Sequence, residues 1–135
     1  MSSTSTSLTL SAVPESAAVA RREISVRIAE QDAAAAVALM VSELVTNSLL
    51  QGELGPTDTI TVHAESVEHG LRVTVCDSGA IADDRIWQEG ANEVHRHGGP
   101  GGLGLKIIAR LSDRWGLTSP HPGTRAWFEV DAHLL

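Results

Sequence analysis

The sequence predicts a single α+β domain, a two-layer sandwich in which a mixed, mostly antiparallel sheet carries helices on one face. Apolar residues alternate with polar ones in two neighbouring segments, 60–64 and 71–75, which is typical of paired strands. Apolar residues recur every three or four positions in 14–29 and 32–48, which is typical of helices that bury one face. A chain of 135 residues is long enough to bury one hydrophobic core.

The N-terminal part begins with a polar tail and a strand. Residues 1–7 are rich in Ser and Thr and are expected to be disordered, so that the domain spans residues 8–135. Leu8–Val13 alternates and is predicted to be a short edge strand. Pro14 then begins a helix that extends to about Ala29, because the first turn of a helix does not need the N–H that proline lacks.

The middle of the chain is predicted to be a second helix followed by a β-hairpin. Asp32 suits the cap of this helix, which extends to Ser48 before Gly52 ends it. The two alternating segments that follow are joined by residues 66–70, and this spacing favours a hairpin.

The C-terminal part combines a long loop with the last three elements. Residues 79–101 have no clear periodicity, and a loop of this length in a small domain is usually a lid or binding loop, or else disordered. A helix follows this loop, and residues 114–117 and 124–130 are predicted to form a closing hairpin.

Composition and charge argue against several functions. The formal net charge is −7 and no run of Lys or Arg is present, which argues against direct nucleic-acid binding. The sequence has no apolar run of membrane-spanning length and no signal-type N-terminus, so a cytoplasmic protein without a membrane segment is expected. The only cysteine, Cys76, fits a reducing compartment and is expected to pack as a small apolar residue.

A glycine-rich segment, residues 98–104, leads into the third helix and indicates an anion site. Backbone without Cβ atoms can approach a ligand closely, and the first turn of the helix adds unpaired N–H groups. Gly101, Gly102, Leu103 and Gly104 are therefore candidate phosphate-binding residues. Taken by itself, the segment is explained equally well as a surface loop without a ligand.

Glu43 and Asn47 lie four residues apart in the second predicted helix and therefore share one face. The amide oxygen can hold a hydrated Mg²⁺, while the carboxylate can orient a hydroxyl nucleophile and act as its base. An isolated pair with this spacing is more commonly a solvated surface pair.

Asp77 continues the alternation of its strand, so its carboxylate is expected to face the core. A buried carboxylate needs hydrogen-bond donors, and the amino group of a purine is one such donor. The alternative is that the strand ends at Cys76 and Asp77 caps a turn. Thr124 opens the last strand, where its hydroxyl can bond a buried water or a base, although a β-branched residue there is also what strand propensity favours.

The predicted lid contains the tripeptide His95-Arg96-His97. Two histidines without a cysteine or a third ligand nearby make a poor zinc site. Arg96 is instead the lid residue expected to reach a terminal phosphate, and plain solvent exposure is the alternative.

Four motifs together resemble the nucleotide-binding motifs of the GHKL ATPase superfamily, in the same order and with the same spacing. They are Glu43-Leu-Val-Thr-Asn47, Asp77-Ser-Gly79, Gly102-Leu-Gly104-Leu105 and Gly123-Thr124. Within that superfamily the chain is most similar to the actinobacterial anti-sigma factor serine kinases of the RsbW and SpoIIAB type. This narrower similarity covers residues 8–130 approximately and depends on Ser42–Ser48, Asp113–Gly116 and Gly123–Glu129.

The resemblance implies the Bergerat-type ATPase fold, with ATP and Mg²⁺ as ligands. Asn47 would ligate Mg²⁺, Glu43 would be the general base, and Asp77 would accept a hydrogen bond from the adenine amino group. Gly79 would line the base pocket, and Thr124 would help to seat the adenine.

The same resemblance places the phosphates of ATP at Gly102 and Gly104, beneath the lid. It implies transfer of the γ-phosphate to a serine of an anti-sigma factor antagonist of the STAS type. It also implies that the protein binds a sigma factor and forms a homodimer.

Two residues depart from the family pattern. Gln51 stands before Gly52 where the family usually has histidine, and Ile81 stands where a further glycine is common. Neither change removes Glu43, so a serine kinase is the first hypothesis. An ATP-binding interaction module without turnover is the second. The detached catalytic domain of a histidine kinase ranks below both, since the sequence lacks a preceding helix pair with a phosphoacceptor histidine.

Overall fold

Strands and helices follow one another in the order that the sequence predicts. The computed structural model describes residues 5–51, 54–55, 57–77, 103–118 and 124–135. The elements of this part of the chain are β1 (Ser5–Ser11), α1 (Glu15–Ser25), α2 (Gln31–Gln51), β2 (Thr59–Val67), β3 (Gly70–Asp77), α3 (Leu103–Leu111), β4 (Arg114–Thr118) and β5 (Arg125–Val130).

The five described strands form one sheet in the order β1-β2-β3-β5-β4, and all neighbouring strands are antiparallel. Alternate side chains of the three central strands are buried on one face of the sheet. Ala64, Val73 and Phe128 are opposed in the register and form one fully buried row across that face. The α+β two-layer sandwich predicted from the sequence is therefore confirmed.

Helix α2 is the main helical contribution to the core. Its residues Val37, Met40, Val41, Leu44 and Val45 are buried, and the helix contacts the sheet, α1 and α3. Each such side chain contributes about 1.5–3 kcal/mol through its removal from water. By length and composition alone α2 could cross a membrane, which corrects the expectation that no segment of the chain could. Its buried apolar residues pack with those of the sheet in the hydrophobic core.

The prediction for the N-terminus is wrong for three residues. The sequence predicts a disordered tail over residues 1–7, whereas β1 begins at Ser5. Ser5 and Ser7 pair with Glu65 and His63 of β2, and the Ser7 hydroxyl lies 2.6 Å from Nδ1 of His63. Main-chain pairing thus extends the strand into a segment whose side chains carry no apolar signal.

Helix α1 also ends earlier than predicted, at Ser25, because the segment after it pairs with the C-terminal residues. The N–H of Ala29 donates to the carbonyl of His133, and the N–H of Leu135 donates to the carbonyl of Arg27, both at 2.8 Å. The connection between α1 and α2 is therefore held by the end of the chain.

One carboxylate reinforces this pairing. Glu30 accepts a hydrogen bond from the main-chain N–H of His133 at 2.9 Å, and its second oxygen lies 2.6 Å from Nδ1 of the His133 ring. The side-chain hydrogen bond with His133 lowers the pKa of Glu30, and the same bond raises the pKa of His133. The contact is solvent-exposed, so its contribution to stability is small.

We expect this contact to stabilise the fold most between pH 4.5 and 6.5, the ordinary pKa values of the two groups. The contribution of Glu30 is present above 4.5 and is lost as the pH falls through its lowered pKa. The contribution of His133 is present below 6.5 and is lost as the pH rises through its raised pKa. Thermal melting should therefore show the largest loss for Glu30→Gln inside this window.

Glu68→Gln is the matched control, since Glu68 also contacts a histidine, His69, but both side chains are almost fully exposed. It should leave the melting temperature unchanged across the same pH series. A Glu30→Gln loss that is equal at pH 5.5 and pH 9 would contradict the assigned ion pair.

Candidate functional site

Three polar residues from three elements meet at one end of the sheet and are buried there. Asp77 is the last residue of β3, Thr124 directly precedes β5, and Ser48 lies near the C-terminal end of α2. The N–H of Thr124 donates to Oδ2 of Asp77 at 2.6 Å, and its hydroxyl donates to the same oxygen at 3.3 Å. The Ser48 hydroxyl lies 2.9 Å from Oγ1 of Thr124. We refer to these three residues as the Asp77 network.

The direction of the hydrogen bonds follows from the chemistry of the groups. An ionised carboxylate only accepts, and a threonine hydroxyl has a single proton. Because Thr124 donates its hydroxyl proton to Asp77, Ser48 donates to Thr124. A second main-chain bond, from the N–H of Asp77 to the carbonyl of Thr124 at 3.2 Å, closes the arrangement.

Asp77 is fully buried, so the inward orientation expected from the strand alternation is confirmed, and β3 does not end at Cys76. Burial of a carboxylate costs several kcal/mol, which hydrogen bonds offset only in part. A carboxylate has about four acceptor sites. A ligand amino group can therefore bond to Asp77 in addition to Thr124.

Asn47 precedes Ser48 on α2 and is 94 % buried, with only 6 % of its surface exposed. Among the described residues, neither its amide oxygen nor its amide nitrogen has a hydrogen-bond partner. A buried amide without partners costs about 1–3 kcal/mol, and such groups are rare in folded proteins. The side chain is therefore suited to a ligand, and its oxygen is of the type that Mg²⁺ prefers.

Glu43 lies one helical turn before Asn47 and is half-buried. Its carboxylate makes no hydrogen bond or ion pair with the described residues, which leaves it available to accept a proton. The two side chains are thus not the fully solvated surface pair that was the alternative interpretation.

The first turn of α3 lies at the same end of the sheet as Asp77. α3 ends at Leu111 and β4 begins at Arg114, so the connection between them is short. A helix packed on a sheet and joined to the next strand by a short connection runs in the opposite direction to that strand. β4 ends at Thr118, which pairs with Arg125 beside Thr124. The N–H groups of the first turn of α3, which have no acceptor within the helix, therefore point toward the end of the sheet that holds the Asp77 network.

The structure brings several predicted site residues to this end of the sheet. Glu43, Asn47, Asp77 and Thr124 are among the described residues, and Leu103 and Gly104 form the first turn of α3. The remaining predictions lie outside the described residues, and these are Gly79, Arg96, Gly101 and Gly102. The predicted lid, residues 79–101, is also outside them.

Ser48 is the residue of the site to which sequence reasoning gave no role. Its signal is that this serine continues the apolar stripe of Val37, Val41 and Leu44 on α2, a position where serine is unfavourable unless its hydroxyl is used. Cys76, by contrast, behaves as expected. It is buried on the opposite face of the sheet from Asp77, and burial raises the pKa of its thiol although Arg125 partly offsets this.

The sequence matches a known protein family over most of its length. Residues 6–128 match a family described as the histidine kinase-like ATPase domain. The chain belongs to this family. The match includes α2, the Asp77 network and the start of α3, and it supports membership of the GHKL superfamily and ATP binding. No curated protein matches the chain.

The described residues fit ATP and a magnesium ion. Asn47 supplies a buried amide oxygen that no described residue hydrogen-bonds, and Asp77 supplies a buried acceptor for an amino group. The helix segment that carries Asn47 is linked to the carboxylate, because the next residue, Ser48, is hydrogen-bonded to Thr124, which in turn is hydrogen-bonded to Asp77. A base and a phosphate-bound cation can therefore be held at a fixed separation.

We expect Asn47→Leu to raise the unfolding free energy of the nucleotide-free protein by about 1 kcal/mol, because an apolar side chain of similar shape removes the unsatisfied amide. The same variant should lose the increase in melting temperature that Mg²⁺ with ATP gives the wild type. Both quantities are measured by thermal melting with and without nucleotide.

Thr46→Leu is the control, since Thr46 is the exposed neighbour of Asn47 on the same helix. This variant should keep the nucleotide-dependent shift. An Asn47→Leu protein that retains the full shift would contradict the assignment of Asn47 to the ligand site.

Proposed function

We propose that the protein is an ATP-dependent serine kinase that phosphorylates an anti-sigma factor antagonist and also binds a sigma factor. The observation that supports it best is the buried Asn47 amide, which has no hydrogen-bond partner among the described residues and directly precedes Ser48 of the Asp77 network. The family assignment supports a kinase or ATPase type of protein. The narrower motifs, which resemble anti-sigma factor serine kinases, supply the substrate class.

The residues of the chain have separate tasks in this proposal. Asp77 accepts a hydrogen bond from the adenine amino group, and Thr124 and Ser48 hold its carboxylate in place. Asn47 holds the magnesium ion, which when bound neutralises charge on the phosphates and orients them. The first turn of α3, with Gly104, offers N–H groups to the phosphates.

Glu43 is the proposed general base. It takes the proton from the serine hydroxyl of the antagonist, whose oxygen forms a bond to the γ-phosphorus while the bond from that phosphorus to the β–γ bridging oxygen breaks. ADP leaves with that oxygen, and the phosphoserine remains on the antagonist. Positioning supplies most of the rate, since phosphoryl transfer requires little covalent chemistry from the protein.

The partners follow from the motif resemblance and from charge. The motif resemblance supplies a sigma factor and a STAS-type antagonist as the partners, and the net charge of −7 suits contact with a basic face on a partner protein. The proposal also includes that the protein forms a homodimer and is located in the cytoplasm. A histidine kinase-like ATPase domain of this kind does not require contact with nucleic acid.

We expect Glu43→Gln to bind ATP as tightly as the wild type but to lose phosphorylation of the antagonist almost completely. The amide keeps the size of the side chain but cannot accept the hydroxyl proton. Calorimetry measures the affinity, and transfer of labelled γ-phosphate to the antagonist measures the reaction.

Glu65→Gln is the matched control, because Glu65 lies on the face of the sheet opposite the helices. This variant should be fully active. If wild-type protein binds ATP but labels no antagonist, the protein is an ATP-binding interaction module; if Glu43→Gln labels normally, Glu43 is not the base.

We expect Asp77→Asn to raise the ATP dissociation constant by about tenfold or more, since the amide is a weaker acceptor than the carboxylate. Inosine triphosphate, which has an oxygen in place of the adenine amino group, should bind the wild type poorly. The ratio between the two affinities should shrink in Asp77→Asn, as measured by calorimetry. Cys76→Ser, one residue away on the opposite face, should change neither affinity.

A further inference from the structure

The side of α2 that is turned away from the sheet carries very little charge. After Asp32 in the first turn, Glu43 is the only charged residue of the helix. A helix with one side in water normally carries charged residues on that side, and a helix that is apolar all round is normally buried. Less than half of Gln31–Leu50 is buried within the domain. α2 therefore exposes apolar surface that the hydrophobic core does not use.

The exposed positions of α2 after its first turn recur with helical spacing and form one face. They are Ala35, Leu39, Thr46 and Leu50, and we refer to them as the α2 outer face. Leu39 is 42 % exposed and Leu50 is 70 % exposed. At about 100° of rotation and 1.5 Å of rise per residue, these two leucines lie within about 20° of each other around the helix axis and about 16 Å apart along it.

Glu43 lies between this outer face and the candidate nucleotide site. It follows Leu39 by four residues and precedes Asn47 by four residues, so the three side chains are offset in the same sense by about 40° each around the helix. Leu39 is exposed, Glu43 is half-buried and Asn47 is buried. A hydroxyl group that reaches Glu43 from solvent therefore approaches from the side of α2 that carries the outer face.

An occupant of the outer face has to meet two chemical requirements. It has to cover Leu39 and Leu50 with apolar groups, and it has to bring a proton donor to the one carboxylate between them in the sequence. The phosphates of a nucleotide and a hydrated magnesium ion cannot cover leucine side chains favourably. A protein segment in which apolar side chains flank a serine meets both requirements.

We infer that the α2 outer face is the docking surface for the protein substrate, and that Leu39 and Leu50 contact apolar side chains on the two sides of its acceptor serine. Leu39 lies one turn before Glu43 and Leu50 lies two turns after it. The inference rests on the proposed function, because it takes Glu43 as the base for the serine hydroxyl. Contacts remote from the reacting atoms supply binding energy that holds the serine at the base.

The test measures transfer of labelled γ-phosphate to a purified STAS-domain protein that the wild type labels, with Leu39→Gln and Leu50→Gln combined in one variant. Glutamine is a good helix former and adds no charge beside Glu43. The variant should raise the KM for the STAS-domain protein by about tenfold or more, because two apolar contacts are lost. The kcat at saturating substrate, its pH profile and the ATP-dependent increase in melting temperature should not change, as expected for a contact made equally before and during the reaction.

Two control variants separate docking from a general effect of the substitutions. Leu39→Met combined with Leu50→Met keeps apolar side chains of similar volume and should keep the wild-type KM. Leu135→Gln is the matched control, since Leu135 is 80 % exposed and lies in the C-terminal segment that pairs with the connection before α2. It should also leave the KM unchanged.

The outcomes distinguish this inference from the proposed function. A wild type that labels no STAS-domain protein removes the proposed function, and the inference with it. A wild type that labels its substrate, together with a glutamine double variant of unchanged KM, overturns the inference alone. An equal rise in KM for Leu135→Gln also overturns it. Sedimentation velocity adds one further check, because a double variant that loses a wild-type dimer would assign the outer face to a second copy of the chain instead.

Discussion

The bond from the N–H of Thr124 to the carboxylate of Asp77 is the contact on which the site depends. It joins the end of β3 to the start of β5, and through Ser48 it fixes α2 to the same point. Without it the fully buried carboxylate would lack its shortest described hydrogen bond, and a buried charge without partners destabilises a fold by several kcal/mol. The donors that make Asp77 tolerable in the core are therefore the same donors that orient it for a ligand.

Adjacent residues of α2 show how stability and function are divided within one helix. Ser48 has its hydroxyl bonded to Thr124, whereas the neighbouring Asn47 is almost as buried and has no partner among the described residues. The rest of the buried face of α2 is apolar and packs on the sheet. A single unsatisfied amide in an otherwise well-packed helix is the kind of local inconsistency that proteins retain at functional sites. The surrounding apolar core supplies the stability that offsets the free-energy cost of burying this amide.

Periodicity predicted the parts of this fold whose side chains alternate between two environments. The period of two in β3 predicted that Asp77 faces the core, and the helical period predicted α2 as a buried helix. The sequence did not predict that Ser5–Ser7 form a strand, because they do so through main-chain pairing with β2 and not through side-chain burial. The pairing of Leu134 with Ile28 escaped for the same reason. The role of Ser48 was not predicted because its hydrogen-bond partner, Thr124, is 76 residues away in the sequence.

The two edge strands of the sheet, β1 and β4, differ in the side chains that lie on and beside them. On the β4 edge strand, Arg114 pairs with Glu129 of the neighbouring β5, which also pairs with Arg72 of β3, so charged side chains lie at and next to that edge. β1 has no such residue, and exposed Val26 and Leu135 lie beside it. An amide and a strand edge that lack partners among the described residues are the same kind of signal, because each is a set of hydrogen-bonding groups that another molecule can satisfy. For Asn47 we propose that this molecule is a small ligand.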